Sequence, residues 1–124
     1  MGALIIGIAS GVICFWAATS LKQKLGYDDS LDAFGVHGIG GIVGAFLTGI
    51  CASEGLGGAG FAAGSMAAQM KGQIISIVVT VVYSGVLSLI ILKIVDAVVG
   101  LRVTQEDEVT GLDIALHDER GYNI

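Results

Sequence analysis

Residues 1–21 carry no charged side chain, and no proline occurs anywhere in the 124-residue sequence. At about 1.5 Å per residue such a run is long enough to cross a hydrocarbon core of about 30 Å as one helix. Two further apolar runs follow. Residues 31–53 are interrupted by Asp32, His37 and several glycines, while residues 74–99 are almost continuous in Ile, Val and Leu, with Lys93 and Asp96 near the end. Backbone amides and carbonyls inside lipid have no water to bond, so each run must close its hydrogen bonds within itself. That requirement overrides the strand preference of the β-branched third run. A membrane β-barrel would instead show alternating segments of about ten residues, and none is present.

The expected fold class is therefore all-α: a polytopic membrane protein with three transmembrane helices, at about 1–21, 31–53 and 74–99. Residues 1–100 form the membrane part and residues 101–124 a polar tail. Composition agrees, with 54% apolar and 14% charged residues, against about a quarter charged in soluble domains. A secretory signal peptide would open on cations, whereas Lys22 and Lys24 come after the apolar run. Disordered chains are poor in apolar residues, which excludes that class. Six Lys and Arg against eleven Asp and Glu leave no cationic patch to track phosphates, so nucleic acid is not an expected partner.

Cations also give an orientation. Lys22 and Lys24 in the first loop and Arg102 and Arg120 in the tail fall on one side of two crossings, with Lys71 near the opposite face. The positive-inside bias then puts the first loop and the tail in the cytoplasm and residue 1 outside. The third run extends about 39 Å as a helix, so it must tilt or protrude. Lys93 and Asp96 stand three apart and can pair at the inner interface, either as a marker of the membrane boundary or as part of an ion path.

The remaining polar features are few. Cys14 and Cys51 sit in apolar runs without ligand spacing and read as small buried hydrophobes. The run Ser53-Glu54-Gly55-Leu56-Gly57-Gly58-Ala59-Gly60 reads as a flexible outer loop. The acidic group Asp28, Asp29, Ser30 and Asp32 stands ahead of the second span, suited to capping its free amides or to drawing cations to a pore exit. Thr104 followed by Asp107 predicts a capped surface helix in the tail. His117, Asp118 and Glu119 are adjacent residues that do not converge on one metal ion, and no metal or cofactor is expected. No nucleophile–base pair or paired carboxylates point to an enzyme.

One constellation stands out. His37 lies inside the second span, and its helical neighbours at i+3, i+4, i+7 and i+11 are Gly40, Gly41, Gly44 and Thr48, all small. Small residues admit another helix or a substrate close to the backbone. The spacings Gly7-xxx-Gly11 and Gly60-xxx-Gly64 likewise predict close packing. An ionisable group in a span is costly and commonly marks an ion or proton path. A neutral imidazole offers one donor and one acceptor, which suits guidance of a small polar molecule. Periodicity alone leaves open a histidine bonded to a neighbouring helix for packing only.

The sequence Asp28-Asp29-Ser30-Leu31-Asp32-Ala33-Phe34-Gly35-Val36-His37-Gly38-Ile39-Gly40-Gly41-Ile42-Val43-Gly44 resembles a signature of the Amt/Mep/Rh ammonium transporter family. Further on, Gly100-Leu101-Arg102-Val103, Gly111-Leu112-Asp113 and His117-Asp118-Glu119 resemble that family's cytoplasmic tail. The resemblance covers essentially the whole chain. It implies a multi-pass plasma-membrane transporter of ammonium or ammonia, with eleven spans and a homotrimeric assembly, of which this chain corresponds to the last three spans and the tail. On that reading Met1 is an internal methionine or the start of a truncated frame. The resemblance assigns His37 to the second of two pore histidines. It assigns Gly111, Leu112, Asp113, His117 and Glu119 to a regulatory tail that couples subunits and helps receive a PII-type signal protein. Asp118 departs from the pattern, which more often has glycine there. Two other readings remain at this point: a three-helix membrane subunit or interaction module without transport activity alone, and a solvated acidic tail without a partner.

Overall fold

The structure, a computed structural model, describes residues 1–119 and 121; Arg120, one of the cations used for orientation, lies outside them. All regular structure among the described residues is helical. Helix α1 (Gly2–Trp16) runs without interruption through a π turn (Ala17–Leu21) into the short α2 (Lys22–Leu25), and Gly26 ends it in a left-handed conformation at φ 63°. A second π turn (Phe34–Ile39) leads into α3 (Gly40–Cys51). Helix α4 (Met66–Val98) is 33 residues long, and the tail holds α5 (Gln105–Thr110) and α6 (Leu112–His117).

Three helical stretches are long and apolar enough to span a bilayer: Gly2–Leu25, Phe34–Cys51 and Met66–Val98. The three-span expectation holds, with shifted edges. The second span starts at Phe34 because Asp32 sits at φ 54°, outside the helical region. The third starts at Met66 because Ser65 caps it: the Ser65 hydroxyl accepts from Ala68 N at 3.3 Å and its carbonyl from Gln69 N at 2.9 Å. Met, Ala, Gln and Lys then extend the helix by propensity. Their mixed polarity hides the extension from a hydropathy reading. At 1.5 Å per residue the helix reaches about 50 Å.

The chain divides into two units, Met1–Val81 and Val82–Ile124. In the first, α1 packs along α3, and the two π turns meet. Ala17 is fully buried there. At the opposite end of these helices Gly2 lies against Cys51: a Cβ on Gly2 would stand 2.9 Å from the Cys51 Cβ. Cys51 is thus the buried hydrophobe expected. The segment after α3 is tied down rather than loose, since Leu56 N and Gly58 N bond the Ser53 carbonyl and Gly60 N the Ala52 carbonyl. A cleft of about 330 Å³ opens beside it, lined in part by Gly2, Thr48 and Leu56.

At Gly7, Gly11 and Gly44 an added Cβ would meet nothing within 4 Å, and Gly60 and Gly64 lie in a loop at positive φ. Only Gly40 among the helical pairs makes the close approach that the spacings predict. Glycine spacing specifies permission to approach, and a neighbour must be present to use it.

In the second unit, Lys93 and Asp96 form no ion pair among the described residues. Both are exposed on a helix that is apolar on every side. The tail helix α5 begins as expected, with the Thr104 hydroxyl accepting from Asp107 N at 3.2 Å. Arg102 grips Glu108 through two nitrogens, Nε at 2.5 Å and Nη2 at 3.0 Å.

Candidate functional site

His37 lies within the π turn Phe34–Ile39. A π turn widens the helix by one residue and is common at functional positions. Its start is fixed by Asp29, whose carboxylate accepts from Ala33 N at 2.9 Å and Phe34 N at 2.8 Å. Capping is therefore the role Asp29 performs, and it supplies acceptors for amides that have no partner inside the helix. Asp32 is engaged differently: its Oδ1 accepts from Lys22 Nζ at 2.7 Å, across the loop. Phe34 covers Gly38 with its ring edge and meets the Tyr27 ring edge-on, centroids 5.6 Å apart at 85°. The Tyr27 hydroxyl is buried without a hydrogen-bond partner among the described residues.

The wall behind His37 is the first helix. A Cβ on Gly35 would stand 2.9 Å from Ala18 N and 3.0 Å from Ala18 Cα, both backbone atoms. One turn earlier on α1, the Cys14 thiol donates to the Val36 carbonyl at 3.6 Å. The same sulfur would be 2.9 Å from a Cβ on Gly40. The Ala17–Leu21 turn has its own local cause: the Thr19 hydroxyl donates back to the Phe15 carbonyl at 2.8 Å, which competes with regular helix bonding.

The imidazole of His37 is exposed on the surface of this chain and meets no hydrogen-bond partner among the described residues. The small-residue stripe beside it divides. Gly40 faces Cys14 on α1, whereas Gly41 and Gly44 have nothing within 4 Å. Thr48 donates to the Gly44 carbonyl at 2.7 Å and so spends its hydroxyl within the helix. At Gly41 and Gly44 the open surface of the helix is bare backbone. Cys14, Lys22, Tyr27 and Gly35 are parts of this site that periodicity does not single out. Each acts through a contact between segments distant in sequence, and Cys14 in particular does more than fill space.

In the tail, Gly111 joins the two short helices at φ 99°, and a side chain there would collide with Asp113 Oδ1, 2.8 Å from the Cβ position. Leu112, Asp113 and His117 belong to α6. Asp118 follows in the left-handed conformation at φ 49°, and Glu119 N bonds the Asp113 carbonyl at 3.0 Å.

Comparison with known proteins fits this arrangement to one family. The family model described as the Ammonium Transporter Family matches residues 1–122. The chain is 45% identical over 122 residues to an ammonium transporter of Bacillus subtilis, covering 96% of this chain and 30% of that protein. It is 42% identical to an ammonium transporter of Aquifex aeolicus, over all of this chain and 29% of that one. With the transporter Amt1 of Archaeoglobus fulgidus the identity is 40%, over 98% of this chain and 31% of the relative. The chain thus spans about 30% of the length of the curated relatives it matches. With three membrane-length helices and a match over almost every residue, this membrane protein belongs to the Ammonium Transporter Family.

Proposed function

We propose that this chain is part of an ammonium or ammonia transporter of the plasma membrane, with His37 bordering the passage. The observation that carries the reading is the family match over residues 1–122, within which His37 stands on a membrane-length helix that also carries the uncovered glycines Gly41 and Gly44. The chemistry supports it. Carrying ammonium intact through hydrocarbon would bury a full charge, whereas ammonia is neutral and small. Loss of a proton at the mouth, followed by movement of ammonia past a neutral imidazole, avoids most of that penalty. The imidazole can exchange one donor and one acceptor with the passing molecule, and glycines leave it room.

In this reading residues 1–100 are the membrane part and residues 101–124 a cytoplasmic tail, and the transporter assembles as a homotrimer. Gly111, Leu112, Asp113, His117 and Glu119 would shape a regulatory surface for neighbouring subunits and a PII-type signal protein. The turns at Gly111 and Asp118 give this segment a defined backbone; a solvated acidic tail without a partner is the competing reading.

The test is ammonia flux into vesicles containing the transporter of which this chain is proposed to be part, followed by internal pH. His37→Ala is expected to change conduction or selectivity. Flux and selectivity equal to the unsubstituted protein would overturn the pore role. Vesicles holding the 124-residue chain alone address the competing reading, a three-helix membrane subunit without transport by itself. Binding of a PII-type protein that survives deletion of the tail would move the docking surface elsewhere.

A further inference from the structure

We infer that the first helix sets the orientation of His37 by holding the two π turns against each other, with Cys14 and Gly35 as positioning residues. The activity consequence rests on the proposed pore role of His37; the structural consequence does not.

Three observations converge. The turns Ala17–Leu21 and Phe34–Ile39 meet where Gly35 sits on the backbone of Ala17 and Ala18, with Cβ distances of 2.9 to 3.2 Å. Ala17, at that contact, is fully buried. The Cys14 thiol donates to the carbonyl of Val36, the residue immediately before His37, at 3.6 Å. A carbonyl has two lone pairs, so it can accept from a side chain as well as from its own helix. The widened turn is a departure from α geometry, and a one-residue shift of hydrogen-bond register would move it along the helix. Such a shift would rotate His37 about the helix axis by roughly 100°, one residue's share of a 3.6-residue turn. A donor on the preceding carbonyl and a backbone-to-backbone seat at Gly35 both act on the segment that would have to move. Gly40 completes the arrangement by admitting the sulfur, which a Cβ would meet at 2.9 Å. The remaining side of the turn is fixed by Asp29 through Ala33 N and Phe34 N.

The experiment places the full chain in lipid bilayers with ¹³C-labelled Val36 carbonyl and ¹⁵N-labelled histidine. Infrared and solid-state NMR spectra are compared for the unsubstituted chain, Cys14→Ala and Cys14→Ser. The S–H stretch that disappears in Cys14→Ala is expected at lower frequency than a free thiol. The Val36 carbonyl resonance should move upfield in Cys14→Ala, the His37 ring signals should shift or split, and Cys14→Ser, which keeps a donor, should restore both. A lost S–H band at the free-thiol frequency would overturn the inference in the unsubstituted protein itself, whatever the variants do. Unmoved Val36 and His37 signals in Cys14→Ala would also overturn it, as would Cys14→Ser behaving like Cys14→Ala. These readouts are independent of flux. If His37→Ala leaves transport unchanged while the spectra behave as described, the pore role fails and the positioning stands.

Discussion

Lys22 Nζ donates to Asp32 Oδ1 at 2.7 Å, closing the loop between the first two spans. Asp32 holds φ 54° while it does so, a conformation that aspartate and asparagine tolerate better than other side chains. The pair therefore joins the end of one span to the turn that starts the next, ahead of the Asp29 cap. It also accounts for the late start of the second helix.

Replacing Asp32 by Asn keeps the backbone preference and removes the charge, isolating the ion pair. Both side chains are partly exposed, at 28% and 41%, so solvent screening leaves only a small expected loss. Reversible unfolding in detergent, compared with Lys22→Gln and with the double variant, reads the coupling. Additive losses would show that the contact contributes nothing of its own.

Gly35→Ala should destabilise the chain by about 1–3 kcal/mol, because the added methyl meets backbone atoms that cannot rotate aside. Gly7→Ala and Gly11→Ala meet nothing within 4 Å. They are expected to be neutral or to stabilise by up to about 1 kcal/mol through helix propensity. Thermal unfolding of the three variants in the same detergent checks the contrast, and equal effects would contradict the close seat at Gly35.

The Glu108 carboxyl is held below its ordinary range chiefly by the hydrogen bond from Arg102; desolvation opposes this, and the guanidinium charge adds a smaller lowering. A carboxylate with a depressed folded-state pKa contributes stability that is complete above its unfolded pKa. That contribution is lost as the pH falls through the folded value. Carbon NMR should show Glu108 titrating below the ordinary glutamate range, and Arg102→Gln should raise it toward that range. Local order of α5 should weaken at acid pH in the unsubstituted chain and lose that dependence in Glu108→Gln.

Asp118→Gly should stabilise the end of α6. Asp118 occupies a left-handed conformation at φ 49°, where a side chain costs about 1 kcal/mol that glycine does not. Amide exchange at Glu119, whose N–H bonds the Asp113 carbonyl, should slow. Faster exchange would mean that the Asp118 side chain itself secures the turn. The departure of this residue from the glycine of the resembled pattern is thus accommodated in the backbone that glycine would favour.

Legibility in the sequence follows the range of the interaction. Apolar length and the absence of charge are sums along the chain, so three helical crossings, the Thr104 cap and the family signature around His37 are readable from the residues alone. Edges are less legible where propensity and polarity disagree, as in the Met66 start of α4. Glycine patterns are ambiguous for a related reason: Gly40 and Gly44 share a spacing, and only Gly40 has a neighbour to receive. The pairing of Lys22 with Asp32, the thiol of Cys14 on Val36 and the meeting of the two π turns require the folded chain. Each depends on how one helix is rotated against another, and that rotation is set by side-chain packing at close range rather than by any property that accumulates along a single segment.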